Sequence, residues 1–145
     1  MANLVDELKV ALADTFSFYL KAHNYHWNVE GANFPQYHSF FGDLYNEAWS
    51  ATDVIAEGIR TLDAYAPASY TRFKDLSTIE EELKIPQPMT MVTRLLADNQ
   101  KVLSSLTTAY KTAEAEGKLG ISNMLQDRIQ AHEKHGWMLK SISKA

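Results

Sequence analysis

Apolar and aromatic residues recur every three or four positions along most of this chain of 145 residues. That spacing is the period of one face of an α-helix, and no segment shows the strict alternation of a half-buried strand. The helical period runs through four long segments: Leu4 to Trp27, Asn33 to about Asp63, Val92 to Ala113 with a stop at Gly117, and Ile121 to Leu139. The sequence therefore predicts an all-α fold.

Residues that favour helix ends stand at the borders of these segments. The side chain of Asn3 can cap the first helix, and Asp6 and Glu7 suit the positive end of that helix. Asn33 and Pro35 supply a start for the second helix. The end signals and the apolar period therefore agree on where the first two helices begin.

A long connection separates the second and third helical segments. Residues 64–69 end the second helix, residues 70–76 are predicted to form a short connecting helix, and residues 85–88 are irregular. Four long helices with one long link predict a four-helix bundle with a crossover connection. No repeat or composition shift divides the chain, so residues 1–145 are expected to form a single domain.

Composition restricts the chemistry that the chain can perform. Fourteen Lys and Arg residues against eighteen Asp and Glu residues give a net charge of -4, so no overall positive charge attracts nucleic acid or anionic lipid. The chain has no cysteine, which excludes disulfides, thiolate zinc sites, iron–sulfur clusters and cysteine nucleophiles. The charged N-terminus and the absence of a run of ~18 apolar residues predict a cytoplasmic protein. Any metal site must use His, Asp and Glu.

Four residues are candidate metal ligands. His26 lies near the end of the first helix and His38 in the first turns of the second, so a short loop can bring the two imidazoles together. Asp53 and Glu57 are four residues apart on one helix face, a spacing that suits hard cations such as iron or manganese. Taken singly, such residues are more often a hydrogen-bonded core histidine or a solvated acidic face. Their flanking residues are apolar, however, so these carboxylates need compensation from a metal or an arginine.

The distance along the second helix prevents one chain from closing this site. His38 and Asp53 are fifteen residues apart, which is ~22 Å at the rise of an α-helix. A second copy can close the site if the second helices of two subunits pack antiparallel about a two-fold axis. The middle of the ligand span would then lie at the axis, with its aromatic residues as interface anchors. The residues in the middle are Tyr45, Asn46 and Trp49.

Other sites in the sequence carry weaker signals. The Glu-x-x-His pattern of a di-iron site inside one bundle is missing, because Ile129 stands three residues before His132, and His132 stands three before His135. His132 lies on the apolar face and is predicted to be a buried hydrogen-bonding residue, with a surface metal pair of His132 and His135 as the alternative. No serine nucleophile elbow or glycine-rich phosphate loop is found.

Runs of residues in the first, second and fourth helices form a pattern that covers essentially the whole chain. They are HNYHWNVEG at residues 23–31, Phe34, His38, Tyr45, DVIAE at residues 53–57, Ile59-Arg60, and, in the fourth long helical segment, residues 127–129, 132–134 and 137–139. This pattern resembles the Dps family of mini-ferritins. The resemblance implies a ferritin-like bundle assembled into a hollow dodecamer, which oxidises iron(II), usually with hydrogen peroxide, stores ferric mineral inside and so protects against oxidative damage.

The resemblance also implies roles for particular residues. His26 and His38 of one subunit would share an iron site with Asp53 and Glu57 of its two-fold partner, in agreement with the distance along the second helix. Trp27 stands where the family has an aromatic residue that can intercept oxidising equivalents. Iron is thus the implied metal, with peroxide or oxygen as the oxidant.

Three positions depart from the family pattern. Gly42 stands where an acidic residue often follows the second histidine, with Asp43 one place on, which implies weaker iron affinity. Gly58 replaces a common arginine, removes a salt-bridge partner and loosens the helix by up to ~1 kcal/mol relative to Ala. Asn123 replaces an aspartate that often lines the pore through which iron passes. Iron passage would then be slow or would rely on other acidic residues: Asp127, Glu114 or Glu116.

Two further functions are compatible with the bundle. Some Dps relatives condense DNA through tails rich in Lys and Arg, but this sequence shows no such tail and is acidic overall, so DNA binding is not expected. A metal-free helical shell or interaction protein would keep only the architecture. Loss of the candidate ligands would favour that alternative, and all four ligands are in place.

Overall fold

Five α-helices form the part of the chain that the computed structural model describes, residues 3–144. No strand occurs within these residues, and no helix in them is both long and apolar enough to cross a membrane. Four helices are long and one is short. They are α1 (Leu4–Asn28), α2 (Phe34–Thr61), α3 (Tyr70–Leu76), α4 (Pro88–Ala115) and α5 (Leu119–Ser143). The predicted all-α bundle with a short helix in its crossover is confirmed.

Local signals explain most of the helix ends. The Asn3 side chain accepts a hydrogen bond from the backbone N–H of Asp6 at 2.9 Å, as predicted. Asn33 precedes α2 but makes no side-chain capping bond, so Pro35 is the effective start signal there. Asp63 has a left-handed φ of 61°, and α2 therefore ends at Thr61, slightly earlier than the sequence predicts.

The stop after α4 is a Schellman motif. Gly117 has a φ of 67°, which costs glycine little, and the N–H of Lys118 donates to the carbonyl of Ala113 at 2.9 Å. The N–H of Gly117 donates to the carbonyl of Glu114 at 3.1 Å. The predicted stop at Gly117 is confirmed, and the turn sends α5 back along α4.

The core is built around α1, which packs against α2, α3 and α4, while α5 packs mainly on α4 and also contacts α2. Fully burying one large apolar side chain contributes about 1.5–3 kcal/mol, so these residues dominate the stability of the bundle. The largest fully buried side chains come from all four long helices: Phe18, Tyr25, Phe41, Ile55, Leu95, Leu106, Leu125 and Leu139 are among them.

Gly58 lies at the contact between α2 and α5. A Cβ atom at this position would lie 3.2 Å from Cε of Met124 and 3.3 Å from Cδ1 of Ile121. Such contacts are tighter than ordinary packing, so glycine allows the two helices to approach. The helix-propensity cost predicted for Gly58 is therefore accompanied by a packing role.

The crossover is anchored by Asp14, a fully buried carboxylate of α1. Its Oδ1 accepts from the hydroxyl of Ser77 at 2.9 Å and from the N–H of Thr78 at 2.6 Å. Its Oδ2 accepts from the hydroxyl of Thr78 at 2.9 Å and from the hydroxyl of Ser105 on α4. One carboxylate thus ties α1, α4 and the segment after α3 together, which explains how a long link stays in place.

We predict that Asp14→Ala lowers the free energy of unfolding by roughly 3 kcal/mol, because hydrogen bonds to a buried charge are strong and their donors would be left unpaired. Urea unfolding at fixed subunit concentration measures this change. Asp75→Ala, an exposed aspartate of α3, is the matched control and should stay within about 0.5 kcal/mol of the parent. Equal effects of the two substitutions would contradict the anchoring role.

Candidate metal centre

His26 and His38 form a reciprocal pair where α1 and α2 meet. Nδ1 of His26 donates to the carbonyl oxygen of His38 at 2.6 Å, and Nδ1 of His38 donates to the carbonyl oxygen of His26 at 2.7 Å. The two rings stack with centroids 3.8 Å apart. Because a carbonyl oxygen only accepts, both Nδ1 atoms carry hydrogen, and in the neutral imidazole the lone pair is then on Nε2. The pair is thus prepared for metal binding through Nε2, with the orientation of each ring held by a backbone carbonyl.

The loop and the first turns of α2 hold this pair in position. Val29 ends α1 in an extended conformation with its side chain buried, and the five residues 29–33 return the chain to α2. The Phe34 ring stacks on His38 with centroids 5.0 Å apart. The convergence predicted from the short loop is what the structure shows for these two side chains.

Gly42 lies directly against the His26 ring. A Cβ atom there would be 3.1 Å from both Cε1 and Nδ1 of His26. The glycine therefore lets the imidazole pack on the backbone of α2, while Asp43, one residue later, is exposed. Where the family often has an acidic side chain, this chain thus has a glycine that the His26 ring contacts.

Asp53 and Glu57 lie on the same helix as His38 but make no hydrogen bond or ion pair within residues 3–144, and both are exposed. Their apolar neighbours Ile55 and Ile59 point into the core instead. α2 is continuous between His38 and Asp53, so the spacing of ~22 Å applies. No group of three His, Asp or Glu residues in the described part of the chain could hold a metal ion. One subunit thus brings the two histidines together but not the two carboxylates with them.

The middle of α2 presents an exposed surface. Trp49 has 58% of its surface exposed and Val54 has 45%. Asn46 is exposed, and Tyr45 is half-buried. These residues include the ones that the sequence predicts at a two-fold axis.

An aromatic stack adjoins the histidine pair. The His23 ring lies between Trp27, with centroids 3.8 Å apart, and Tyr45, with centroids 3.7 Å apart. The hydroxyl of Tyr19 and Nδ1 of His23 are 3.0 Å apart and hydrogen-bonded. Burial, and then the nearby His26, lowers the pKa of His23, which favours its neutral form. Trp27 is 63% exposed, so the stack connects the surface with the metal-ligand candidates.

A second polar cluster joins α2, α4 and α5; Arg128 and the two histidines in it are buried, and Glu47 is 36% exposed. Glu47 of α2 accepts from Nη1 of Arg128 at 2.5 Å, from Nη2 of Arg128 at 3.0 Å and from Nε2 of His135 at 2.8 Å. Nη2 of Arg128 also donates to Nε2 of His132 at 2.8 Å, and Nδ1 of His132 donates to the side-chain oxygen of Asn99 at 2.8 Å. His132 is the buried hydrogen-bonding residue that the sequence predicts. The alternative, a surface pair of His132 and His135, is wrong because both side chains are buried.

The electrostatics of this cluster follow from its burial. Burial alone would raise the pKa of Glu47, but hydrogen bonds from His135 and Arg128 outweigh it and hold that pKa far below its ordinary value. Burial lowers the pKa of His132 well below its usual value, and the positive charge of Arg128 lowers it further. Glu47 is thus ionised and His132 neutral. Sequence reasoning missed Glu47, because its partners on α5 are more than eighty residues away.

The acidic candidates for iron passage lie around the turn between α4 and α5. Asn123 and Asp127 are exposed on the first turns of α5, and Glu116 is exposed at the end of α4. Glu114 accepts a hydrogen bond from the hydroxyl of Ser122. These residues share one end of the bundle, and iron passage beside them stays a prediction.

Known proteins resemble this chain over almost its full length. The sequence model of the ferritin-like domain matches residues 5–144. Dps from Staphylococcus aureus is 31% identical, with a TM-score of 0.92 over 99% of this chain and 98% of that one. This chain belongs to the Dps family. Antigen TpF1 of Treponema pallidum is 30% identical over 100% of this chain and 82% of its own length, and its crystal structure gives a TM-score of 0.94.

Dps from Vibrio cholerae O1 is another structural relative, 28% identical with a TM-score of 0.92 over 95% of this chain and 87% of that one. That protein is described as a member of a broad superfamily of ferritin-like diiron-carboxylate proteins. The family resemblance and the ferritin-like fold inferred from the sequence are therefore confirmed.

We predict that the protein loses stability between pH 7 and pH 5 through His132. The folded pKa of His132 is lowered, so below the ordinary histidine pKa of about 6.5 the unfolded chain binds a proton that the folded chain does not bind. One such proton gives a slope of about 1.4 kcal/mol per pH unit. Urea unfolding at fixed subunit concentration, repeated at several pH values, measures the free energy of unfolding. That free energy should depend less steeply on pH in His132→Gln than in the parent.

Glu133→Gln, at an exposed neighbouring position, is the control for this measurement and should keep the parental slope. Identical slopes for the parent and His132→Gln would show that His132 is not the group responsible.

Proposed function

We propose that this protein oxidises iron(II) with hydrogen peroxide or oxygen at sites shared between two subunits, and stores the ferric product inside a hollow dodecamer. The observation that carries the proposal is the reciprocal histidine pair. His26 and His38 each present an Nε2 lone pair with its orientation held by a backbone carbonyl, yet the described part of the chain brings no third metal ligand to them. Two oriented imidazoles with no further metal ligand beside them are consistent with half of a metal site.

The carboxylates of α2 fit the other half. Asp53 and Glu57 are exposed and unpaired within residues 3–144, so a single subunit leaves their charge to solvent. Trp49 and Val54, large apolar residues on the same helix, are also exposed, which is typical of a surface that another protein covers. An antiparallel pair of α2 helices would bury these apolar side chains and bring the carboxylates of one subunit to the histidines of the other.

The ligand chemistry favours iron as the substrate. Imidazole nitrogen binds iron(II), and carboxylate oxygen binds both iron(II) and the harder iron(III). Two iron(II) ions each give up one electron, and hydrogen peroxide takes the two electrons and two protons to form two water molecules. Peroxide is thus consumed without release of hydroxyl radical. Trp27 and Tyr45, which both stack on the His23 ring, lie beside the histidine pair, where they can donate an electron to peroxide-derived oxidant that the iron ions have not reduced.

Mixed assemblies test whether the site is shared. His26→Ala/His38→Ala and Asp53→Ala/Glu57→Ala should each lose rapid iron(II) oxidation as pure assemblies. Refolded together with random pairing, about half of the dimers are mixed and each mixed dimer has one intact site of two, so about one quarter of the parental sites should return. The measurement is the initial rate of iron(II) oxidation by peroxide.

Mass spectrometry of differently tagged chains confirms the mixing, and each variant mixed with itself is the matched control. A site within one chain would give no recovery, because every chain lacks half of its ligands. Mixtures that assemble but stay inactive would therefore contradict the shared site.

Native mass spectrometry of the parent should give twelve subunits, and a monomer at micromolar concentration would contradict both the shared site and the shell.

We predict that DNA does not bind at physiological salt. With a net charge of -4, the protein offers few clustered cations to replace the counterions of the phosphate backbone. A gel-shift titration at about 0.15 M salt with a chelator present measures this. A shift that persists under these conditions would favour the DNA-condensing alternative, whereas a shift only with divalent metal would indicate metal bridging of two acidic polymers.

A further inference from the structure

The ferritin-like fold leads one to expect metal ions inside the bundle. Di-metal proteins of this architecture hold them with carboxylates from all four helices and two histidines. In this chain only one carboxylate, Glu47, accompanies His132 and His135 within the described residues, and its side chain is 36% exposed. The buried carboxylates Asp14 and Asp98 are bonded elsewhere, to the crossover and to Lys21. The group between Glu47 and His132 is Arg128 rather than a space for a metal. The residues present therefore do not fit a di-metal site.

The contacts around Arg128 resemble those of a ligated cation. Both oxygens of Glu47 and Nε2 of His132 accept hydrogen bonds from its terminal nitrogens, at 2.5 to 3.0 Å. Nδ1 of His132 is held by Asn99, so its Nε2 lone pair is directed at the guanidinium. This is the arrangement of a metal-binding histidine with its second nitrogen fixed by a neighbour. The side chain of Arg128 is only 7% exposed.

The surrounding residues support this arrangement and balance its charge. A Cβ atom on Gly136 would lie 2.9 Å from the amide nitrogen of Asn99, so only glycine leaves Asn99 its place beside His132. Glu47 and Arg128 carry one negative and one positive charge. A divalent ion added to this pair would leave two positive charges uncompensated beside the buried side chains of Arg128 and His132. The cluster is thus complete in charge without any metal.

We propose that Arg128 is the resident cation of an intrachain carboxylate–dihistidine cluster, and that its guanidinium keeps metal ions out of the centre of the bundle. The chain can then fold without metal. Nε of Arg128 has no hydrogen-bond partner in the described part of the chain. Burying an unpaired N–H costs free energy that an apolar side chain at this position would not cost. The proposal concerns the core of one subunit, so it does not depend on the shared iron site proposed above.

Cobalt(II) binding tests the proposal in a background that lacks the histidine pair, His26→Ala/His38→Ala. The chelator-treated background protein should have no cobalt site that involves Glu47, so Glu47→Gln should leave its cobalt binding unchanged. Adding Arg128→Ala should create one cobalt site per chain and raise the temperature of unfolding when cobalt is present. Adding Glu47→Gln to Arg128→Ala should abolish both effects. Equilibrium dialysis with metal analysis and thermal unfolding provide the two readouts.

Arg94→Ala is the matched control, because Arg94 also pairs with a carboxylate, Glu82, but without histidines beside it. That variant should gain no cobalt. Arg128→Gln, which can still donate to Glu47, gives a second test if Arg128→Ala folds only with cobalt or not at all. A folded Arg128 variant without new Glu47-dependent cobalt would overturn the proposal. So would Glu47-dependent cobalt in the background protein with Arg128 intact, a measurement that needs no Arg128 variant.

Discussion

The rise of an unbroken α2 helix is the constraint on which the candidate site depends. α2 runs continuously from Phe34 to Thr61, and an α-helix advances 1.5 Å per residue. No side-chain rotamer can compensate for a separation of ~22 Å between His38 and Asp53. The same rigidity would serve assembly. In an antiparallel copy of α2 the order of His38 and Asp53 is reversed, so the histidine of each subunit would lie opposite the carboxylate of the other. In the proposed dimer, the helix thus acts as a spacer that sets two equal sites on either side of an axis near Trp49.

The acidic residues of α2 have different environments because they lie on different faces. At about 100° per residue, Glu57 lies about 40° from Asp53 around the helix, whereas Glu47 lies about 120° away. Glu47 therefore faces α5 and is paired with Arg128 and His135, while Asp53 and Glu57 are exposed. An unpaired carboxylate costs little in water but much in a dry interface. Asp53 and Glu57 therefore cost little while their face is in contact with water, and they would need a cation if a second subunit covered that face, as proposed.

Local signals made much of the fold predictable. The cap at Asn3, the stop at Gly117 and the meeting of His26 with His38 each depend on a few neighbouring residues and a short loop. Contacts between distant helices were not predictable from one sequence. Glu47 and Arg128 are eighty-one residues apart, and neither has a local feature that names its partner. Gly42 stands where the family often has an acidic residue, and its contact with the His26 ring, which depends on how α1 packs against α2, was not predictable either.

The two histidine-containing clusters of this chain differ in how their lone pairs are used. In the core, Nε2 of His132 already accepts from Arg128, and the charge of Glu47 is balanced within the chain. At the surface, the hydrogen bonds of His26 and His38 use only Nδ1, and no cation of the described chain pairs with Asp53 or Glu57. A metal ion gains most where donors are oriented and charge is unbalanced. In the proposed dimer, metal would thus bind at the boundary between subunits, where binding and assembly would stabilise each other.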